Sequence, residues 1–169
     1  MATVLGFLLP IVLLSDLVEG YVLVRWGGRA GPFERMITYN LDVVVRYASI
    51  QLILGLVMVG FGAVLIKWIT DSFHLQPRFT QCFNLAAYGM SPVFLARFLH
   101  AIPTLNSWII WAVGALGCIY ILYQGIGIVL EPDQTKGFGL YLLSGLVFTI
   151  LSGIAQLMAS AILSGGVNF

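Results

Sequence analysis

Residues 44–69 read VVRYASIQLILGLVMVGFGAVLIKWI, an apolar stretch whose two charges, Arg46 and Lys67, lie near its ends. A helix of about 20 predominantly apolar residues crosses the ~30 Å hydrocarbon core of a bilayer. Trp68 follows Lys67 at the exit, where aromatic residues are common at the membrane interface. The stretch therefore predicts a membrane-spanning helix.

Four further apolar stretches of similar length account for most of the remaining chain. They cover about 3–24, 82–102, 107–130 and 138–163. Hydrophobic residues make up 60% of the sequence and charged residues 9%, against about a quarter charged in soluble domains. The longest remaining segment, a loop around 25–43, is too short to fold alone. The predicted fold is all-α, a polytopic membrane helical bundle of about five transmembrane helices, in one integral membrane domain over 1–169.

Composition and motifs argue against several functional classes. The net charge is +1 and the lysines and arginines are dispersed, so we expect no nucleic acid partner. Cys82 and Cys118 lack the spacing of a metal site and are predicted to be small buried hydrophobic residues. No nucleophile elbow, zinc-protease or phosphate-loop motif occurs. We therefore expect no cofactor, no metal and no enzymatic activity.

The distribution of basic residues predicts an orientation. One side of the predicted bundle holds five arginines and the other side three basic residues; the first set is Arg25, Arg29, Arg35, Arg46 and Arg97, and the second is Lys67, Arg78 and Lys136. Basic residues concentrate on the cytoplasmic side. The N-terminus is therefore expected outside and the C-terminus inside. Residues 3–24 have no positive segment before them and are expected to stay as a span, not a cleaved signal peptide.

Ionisable residues inside the predicted spans form a candidate charge layer of Asp16, Glu19, Arg46, Arg97 and His100. Asp16 and Glu19 share one helix face at a spacing of three, and so do Arg97 and His100. The first and third spans run in the same direction, which places the two pairs at one depth. Charges within a bilayer are costly and are expected to pair. The layer is either a proton or ion relay, or a lipid head group anchor, or a set of ion pairs that ties the bundle together.

The third span carries a polar face and a proline: Asn84, Tyr88, Ser91 and Pro92. Proline has no N–H group, so it leaves one backbone carbonyl without a helical donor, and a Ser or Tyr hydroxyl can satisfy that carbonyl. The face is predicted either to be a kink of a gating helix or to form structural hydrogen bonds between helices.

The fifth span carries small and polar residues on one side: Ser152, Ala155, Gln156, Ala159 and Ser160. Small residues at this spacing let two helix backbones approach closely. The pattern predicts a helix-packing face, which contacts either the rest of the bundle or another protein.

The stretch FTQCFNLAAYGMSPVFLARFLHAIPTLNSWIIWAVGALGCIYILYQGIGIVL, residues 79–130, resembles the core of the Yip family of five-span membrane proteins. The matching elements are Tyr88, Ser91, Pro92, Ile102, Pro103, Tyr123 and Gly125. Eukaryotic members interact with Ypt/Rab GTPases and carry a long hydrophilic N-terminal region. This sequence begins almost directly in an apolar segment, so it is more similar to the short prokaryotic members, and binding of a Rab-type GTPase is not expected. The eukaryotic pattern also implies a cytosolic N-terminus, opposite to the orientation that the arginines predict.

Small size, short loops and this resemblance predict a non-enzymatic helical scaffold or accessory subunit. It would bind other integral membrane proteins or organise lipid, in a prokaryotic inner membrane. The alternative is a small proton-coupled transporter or channel that uses the charge layer. Partners are thus expected to be membrane lipids and other integral membrane proteins.

Overall fold

The computed structural model describes residues 4–30, 35–102 and 105–165, and these ranges are almost entirely helical. After a π-helical turn, Val4–Leu8, come the helices α1 (Leu9–Arg25), α2 (Leu41–Ser72), α3 (Phe79–Ala96), α4 (Ser107–Val129) and α5 (Gln134–Gly165). Within these ranges, five helical segments are long and apolar enough to cross a membrane. The predicted all-α bundle of about five spans is confirmed.

The connection between α1 and α2 contains a small hairpin that the sequence analysis did not predict. Gly27 ends α1 with a φ of 79°, a left-handed conformation that glycine adopts without steric cost. The strands β1 (Gly28–Ala30) and β2 (Arg35–Ile37) then pair antiparallel. The hairpin brings the chain back to the start of α2 on the same side of the bundle.

The third span changes geometry at its end. After Ala96 the chain tightens into a 3-10 turn, Arg97–Ala101, which carries both Arg97 and His100. Pro103, one of the residues that carry the family resemblance, lies outside the described residues. The tighter turn places the two basic side chains at the end of α3, beside α1.

The third helix lies at the centre of the bundle. Half of its apolar window is buried, against 22% for α5. It packs against α2 and α4, while α5 packs against α2 and α4 from the other side, and α1 packs against α2 and the 3-10 turn. The largest fully buried side chains of the core include Ile66, Met90, Phe94, Leu122 and Phe148. In lipid such packing stabilises through van der Waals contact rather than through removal of apolar surface from water.

Glycines set how closely the helices approach. A Cβ atom on Gly62 of α2 would lie 2.6 Å from the ring of Phe148 on α5. On Gly114 of α4 it would lie 3.0 Å from the Cα atom of Val93 on α3. These contacts show that α2 meets α5, and α4 meets α3, at positions where only a hydrogen fits.

Candidate functional site

A buried ion cluster joins α1 to the turn that ends α3. Asp16 and Glu19 lie one helical turn apart on α1, and both contact the guanidinium group of Arg97. Arg97 Nε and Nη2 donate to Glu19 Oε2 at 2.9 and 2.6 Å. Arg97 Nη1 lies 2.5 Å from Asp16 Oδ1, a close ion pair without the angles of a hydrogen bond. One guanidinium group thus pairs with two carboxylates.

The second oxygen of Glu19 is also engaged. The hydroxyl group of Tyr47 on α2 donates to Glu19 Oε1 at 2.7 Å, and Gln51 Nε2 donates to the same Tyr47 hydroxyl at 3.2 Å. His100 Nδ1 lies 2.9 Å from Glu19 Oε1, again outside hydrogen-bond angles. Glu19 therefore connects α1, α2 and the end of α3, and the cluster is a three-helix junction.

A buried apolar group adjoins the ion cluster through Tyr47. Leu23, Tyr39, Val44 and Ala159 form a buried apolar group with Tyr47, on the side where the hairpin lies. A Cβ atom on Gly28 of the hairpin would lie 2.5 Å from the Leu23 side chain, so the hairpin backbone closes over this group. Burial raises the pKa of Tyr39, which lies outside the spans.

The charges of the cluster partly cancel. Two carboxylates face one guanidinium group, and the imidazole of His100 lies beside Glu19. Asp16 and Glu19 are 6% and 3% exposed, so neither reaches water on its own. Such charges persist in a low-dielectric interior only when they are paired. Arg97 and the two carboxylates therefore compensate each other's charge. Because all three are desolvated, removing any one of them leaves the others buried without their partner.

A small cavity adjoins the cluster where all five helices meet. The cavity has a volume of about 40 Å³, which is room for water. Its polar lining residues are Glu19, Tyr47, Gln51, Arg97, His100, Trp111, Ser152 and Gln156. A water molecule needs about 10–15 Å³ of such volume and two to four polar partners. Trp111 Nε1 already donates to Ser152 Oγ at 3.2 Å. The cavity can therefore hold water beside the charges, although it is too small for an organic ligand.

Four of the five residues of the predicted charge layer come together here: Asp16, Glu19, Arg97 and His100. Arg46 is exposed instead, and its neighbour Tyr47 is the residue of α2 that contacts Glu19. Sequence reasoning missed Tyr47 and Gln51. Their spacing of four, continued by the buried Gly55, was the available signal for the inward face of α2.

The family model of the Yip1 domain matches residues 1–157. The chain belongs to the Yip family. No curated protein and no solved structure matches it. The suspected resemblance is therefore confirmed, and the match includes α1 and with it both acidic members of the cluster.

Within the Yip domain, Pro92 is accommodated by a local hydrogen bond. A helical residue at position 92 would donate its N–H to the carbonyl of Tyr88, which proline cannot do. Ser91 Oγ donates to that carbonyl at 2.6 Å. Ser91 is buried, whereas Tyr88 is 45% exposed. Its ring lies tilted against that of Phe7, with 4.6 Å between the ring centroids. Asn84 is half-buried and lines a groove on the α3–α4 surface. The polar residues of α3 therefore serve separate contacts.

The small-residue face of α5 contacts its own bundle. Ser152, Ala155 and Ala159 are buried, Gln156 is half-buried and lines the central cavity, and Ser160 is exposed. Ser152 accepts the Trp111 hydrogen bond across the α4–α5 contact. Ser152, Ala155 and Ala159 of this face therefore pack within the bundle, and Ser160 does not.

Cysteines and metal-binding groups do not add to the site. Cys82 and Cys118 are both buried and are not disulfide-bonded. In the part of the chain that the structure describes, no group of three His, Cys, Asp or Glu side chains could hold a metal ion. Among the described residues, the buried carboxylates Asp16 and Glu19 both belong to the ion cluster.

Proposed function

We propose that this Yip protein is a non-enzymatic helical scaffold, an accessory subunit that binds other integral membrane proteins through the outer side of α5. The observation that carries the proposal is the position of α5. Only 22% of its apolar window is buried, and Leu146, Ile150, Ile154 and Leu157 form an exposed stripe opposite its packing face. Successive members of the stripe are four, four and three residues apart, which places them on one side of α5.

The ion cluster supports this proposal because its bonds are directed inward. Arg97 holds α1 against α3, and Tyr47 adds α2. A bundle fixed in this way presents a constant outer surface, which is what a scaffold requires. We place the protein in a prokaryotic inner membrane. Its N-terminus lies outside in this proposal, because the distribution of the arginines favours that orientation.

Site-directed photocrosslinking in intact native membranes tests the scaffold. A photoreactive amino acid at Ile150 is expected to give one discrete protein adduct, and the same adduct from Ile154 one turn further. Leu116 on α4 is 68% exposed and is the matched control, because it faces outward on a neighbouring helix. We expect only lipid adducts there. Lipid adducts alone at Ile150 and Ile154 would contradict the proposal.

A second candidate, proton-coupled transport, is favoured by one observation. The central cavity can hold water next to Glu19, Arg97 and His100, and carboxylate and imidazole groups inside membranes commonly carry protons. Reconstituted in liposomes under a pH gradient, a transporter would give a proton flux that Glu19→Gln abolishes. The scaffold proposal predicts no flux above that of protein-free liposomes. A flux that depends on Glu19 would replace the scaffold proposal.

A further inference from the structure

A groove on the α3–α4 surface lies at the end of the bundle opposite the ion cluster. Its mouth, about 340 Å³, is formed by the α2–α3 connection and the end of α4, and its lining includes Gln76, Gln81 and Glu131. A deeper trough of about 430 Å³ continues between α3 and α4. Gln81 and Val129 line both parts, so the mouth and the trough are continuous. The trough alone has the volume of an ordinary ligand pocket.

The length of the groove corresponds to one leaflet of a bilayer. Along α3 it runs from Gln81 to Tyr88, and along α4 from Tyr120 to Val129. At 1.5 Å per residue these distances are about 10 and 14 Å. One leaflet of the hydrocarbon core is about 15 Å deep. A spanning helix of another protein would need a groove about twice as long, so a lipid fits the groove better than a partner helix.

The trough is open to the bilayer and its walls are apolar. Leu85, Ile121 and Ile128 line it, and the rings of Tyr88 and Tyr120 form its edges. Ile128 is 74% exposed and Tyr120 is 64% exposed. A Cβ atom on Gly125 would lie 2.6 Å from Leu85 Cδ1, so the helices touch at the floor of the trough. The shape suits a single acyl chain laid between two helices.

The mouth is polar and carries a carboxylate. Glu131 lines it, together with Gln76 and Gln81, and Gln81 Oε1 accepts a hydrogen bond from the Arg78 backbone N–H at 2.8 Å. Glu131 has a φ of 42°, an uncommon conformation for a residue with a side chain, directly after the end of α4. Asp133, two positions further, is paired with Lys136 at 3.8 Å. The carboxylate at the mouth attracts a cationic group at the level of the lipid head groups.

We propose that this groove binds a phospholipid with a primary amine in its head group, the ammonium group at Glu131 and one acyl chain between Tyr88 and Tyr120. The carboxylate selects the head group through a charge-assisted hydrogen bond from the primary ammonium group, and the apolar trough holds the chain by packing. This site is independent of the scaffold surface on α5, and either proposal can fail without the other.

Native mass spectrometry of the full chain tests the groove. The protein is released from an equimolar mixture of phosphatidylethanolamine, phosphatidylcholine and phosphatidylglycerol. We expect about fivefold more retained phosphatidylethanolamine than phosphatidylcholine, the effect of one charge-assisted hydrogen bond that only the primary ammonium group can donate. Phosphatidylcholine is the informative competitor, because its quaternary ammonium group cannot donate a hydrogen bond. Phosphatidylglycerol has no cationic group and should be retained least.

Two variants on the same loop make the test specific. Glu131→Gln is expected to reduce the preference to within about twofold, because it removes the charge and keeps the shape. Asp133→Asn removes the same charge two positions away and should leave the preference at about fivefold. Equal retention of all three lipids by the unchanged protein would overturn the proposal. An equal effect of the two variants would also overturn it. So would photocrosslinking from position 120 that gives a polypeptide adduct in place of a lipid adduct.

Discussion

Replacing Arg97 by methionine is expected to destabilise the bundle more than any other single substitution in its polar interior. Methionine keeps most of the side-chain length but leaves Asp16 and Glu19 buried without a cationic partner. Removing one partner of a buried ion pair costs about 3–5 kcal/mol, because the remaining charge stays desolvated. The free energy of unfolding, measured by titration with sodium dodecyl sulfate in mixed micelles, should fall by about that amount.

Arg46→Met is the matched control for this substitution. Arg46 is exposed at the same side of the bundle and is not part of the buried cluster. Surface charges contribute about 0–1 kcal/mol, so this variant should unfold close to the unchanged protein. Equal losses for the two arginine variants would mean that the cluster has no special role in stability.

Gly114→Val is expected to have the next largest effect, because it inserts volume where two helices touch. A Cβ atom at this position would lie 3.0 Å from Val93 Cα, 3.1 Å from Ala96 Cβ and 3.4 Å from the Pro92 carbonyl oxygen. All three atoms belong to the backbone or are bonded directly to it, so α3 must move away from α4. Overpacking costs about 1–3 kcal/mol, and we expect the upper end of that range in the same unfolding titration.

Gly127→Val is the control on the same helix. No atom lies within 4 Å of a Cβ at this position, so valine projects into lipid. The two variants change the same residue type to the same side chain and differ in their contacts. A loss of stability that is equal at both positions would show that helix propensity, not the α3–α4 contact, sets the effect.

The sequence was enough to predict the spans and most of the ion cluster. Spans follow from length and hydropathy alone. Each pair, Asp16 with Glu19 and Arg97 with His100, is spaced three residues apart and so shares one helix face. Because the two helices run in the same direction, the pairs are expected to meet. Ser91 could likewise be expected near the carbonyl that Pro92 leaves without a donor, and it donates to that carbonyl. In lipid, charge and proline carry more information than apolar residues do.

The sequence alone did not predict which side of each apolar helix packs into the bundle. In α2 apolar residues surround the helix, so hydropathy alone does not mark its inward face, and only the spacing of Tyr47, Gln51 and Gly55 does. For the same reason the small-residue face of α5 could not be assigned to its own bundle before the structure showed the Trp111–Ser152 contact. Lipid-facing and protein-facing surfaces use the same residue types, and only the packed structure distinguishes them.

The central claim is that charge compensation in the buried cluster, rather than the packing of its side chains, holds α1 to α2 and α3. The most direct measurement compares the unfolding free energy of Arg97→Met with that of the triple variant Asp16→Leu, Glu19→Met, Arg97→Met. Replacing a whole buried ion cluster by apolar residues is often neutral. We expect the triple variant to be more stable than Arg97→Met by at least about 2 kcal/mol. A triple variant as unstable as Arg97→Met, or less stable, would contradict the account, because the loss would then not arise from uncompensated charge.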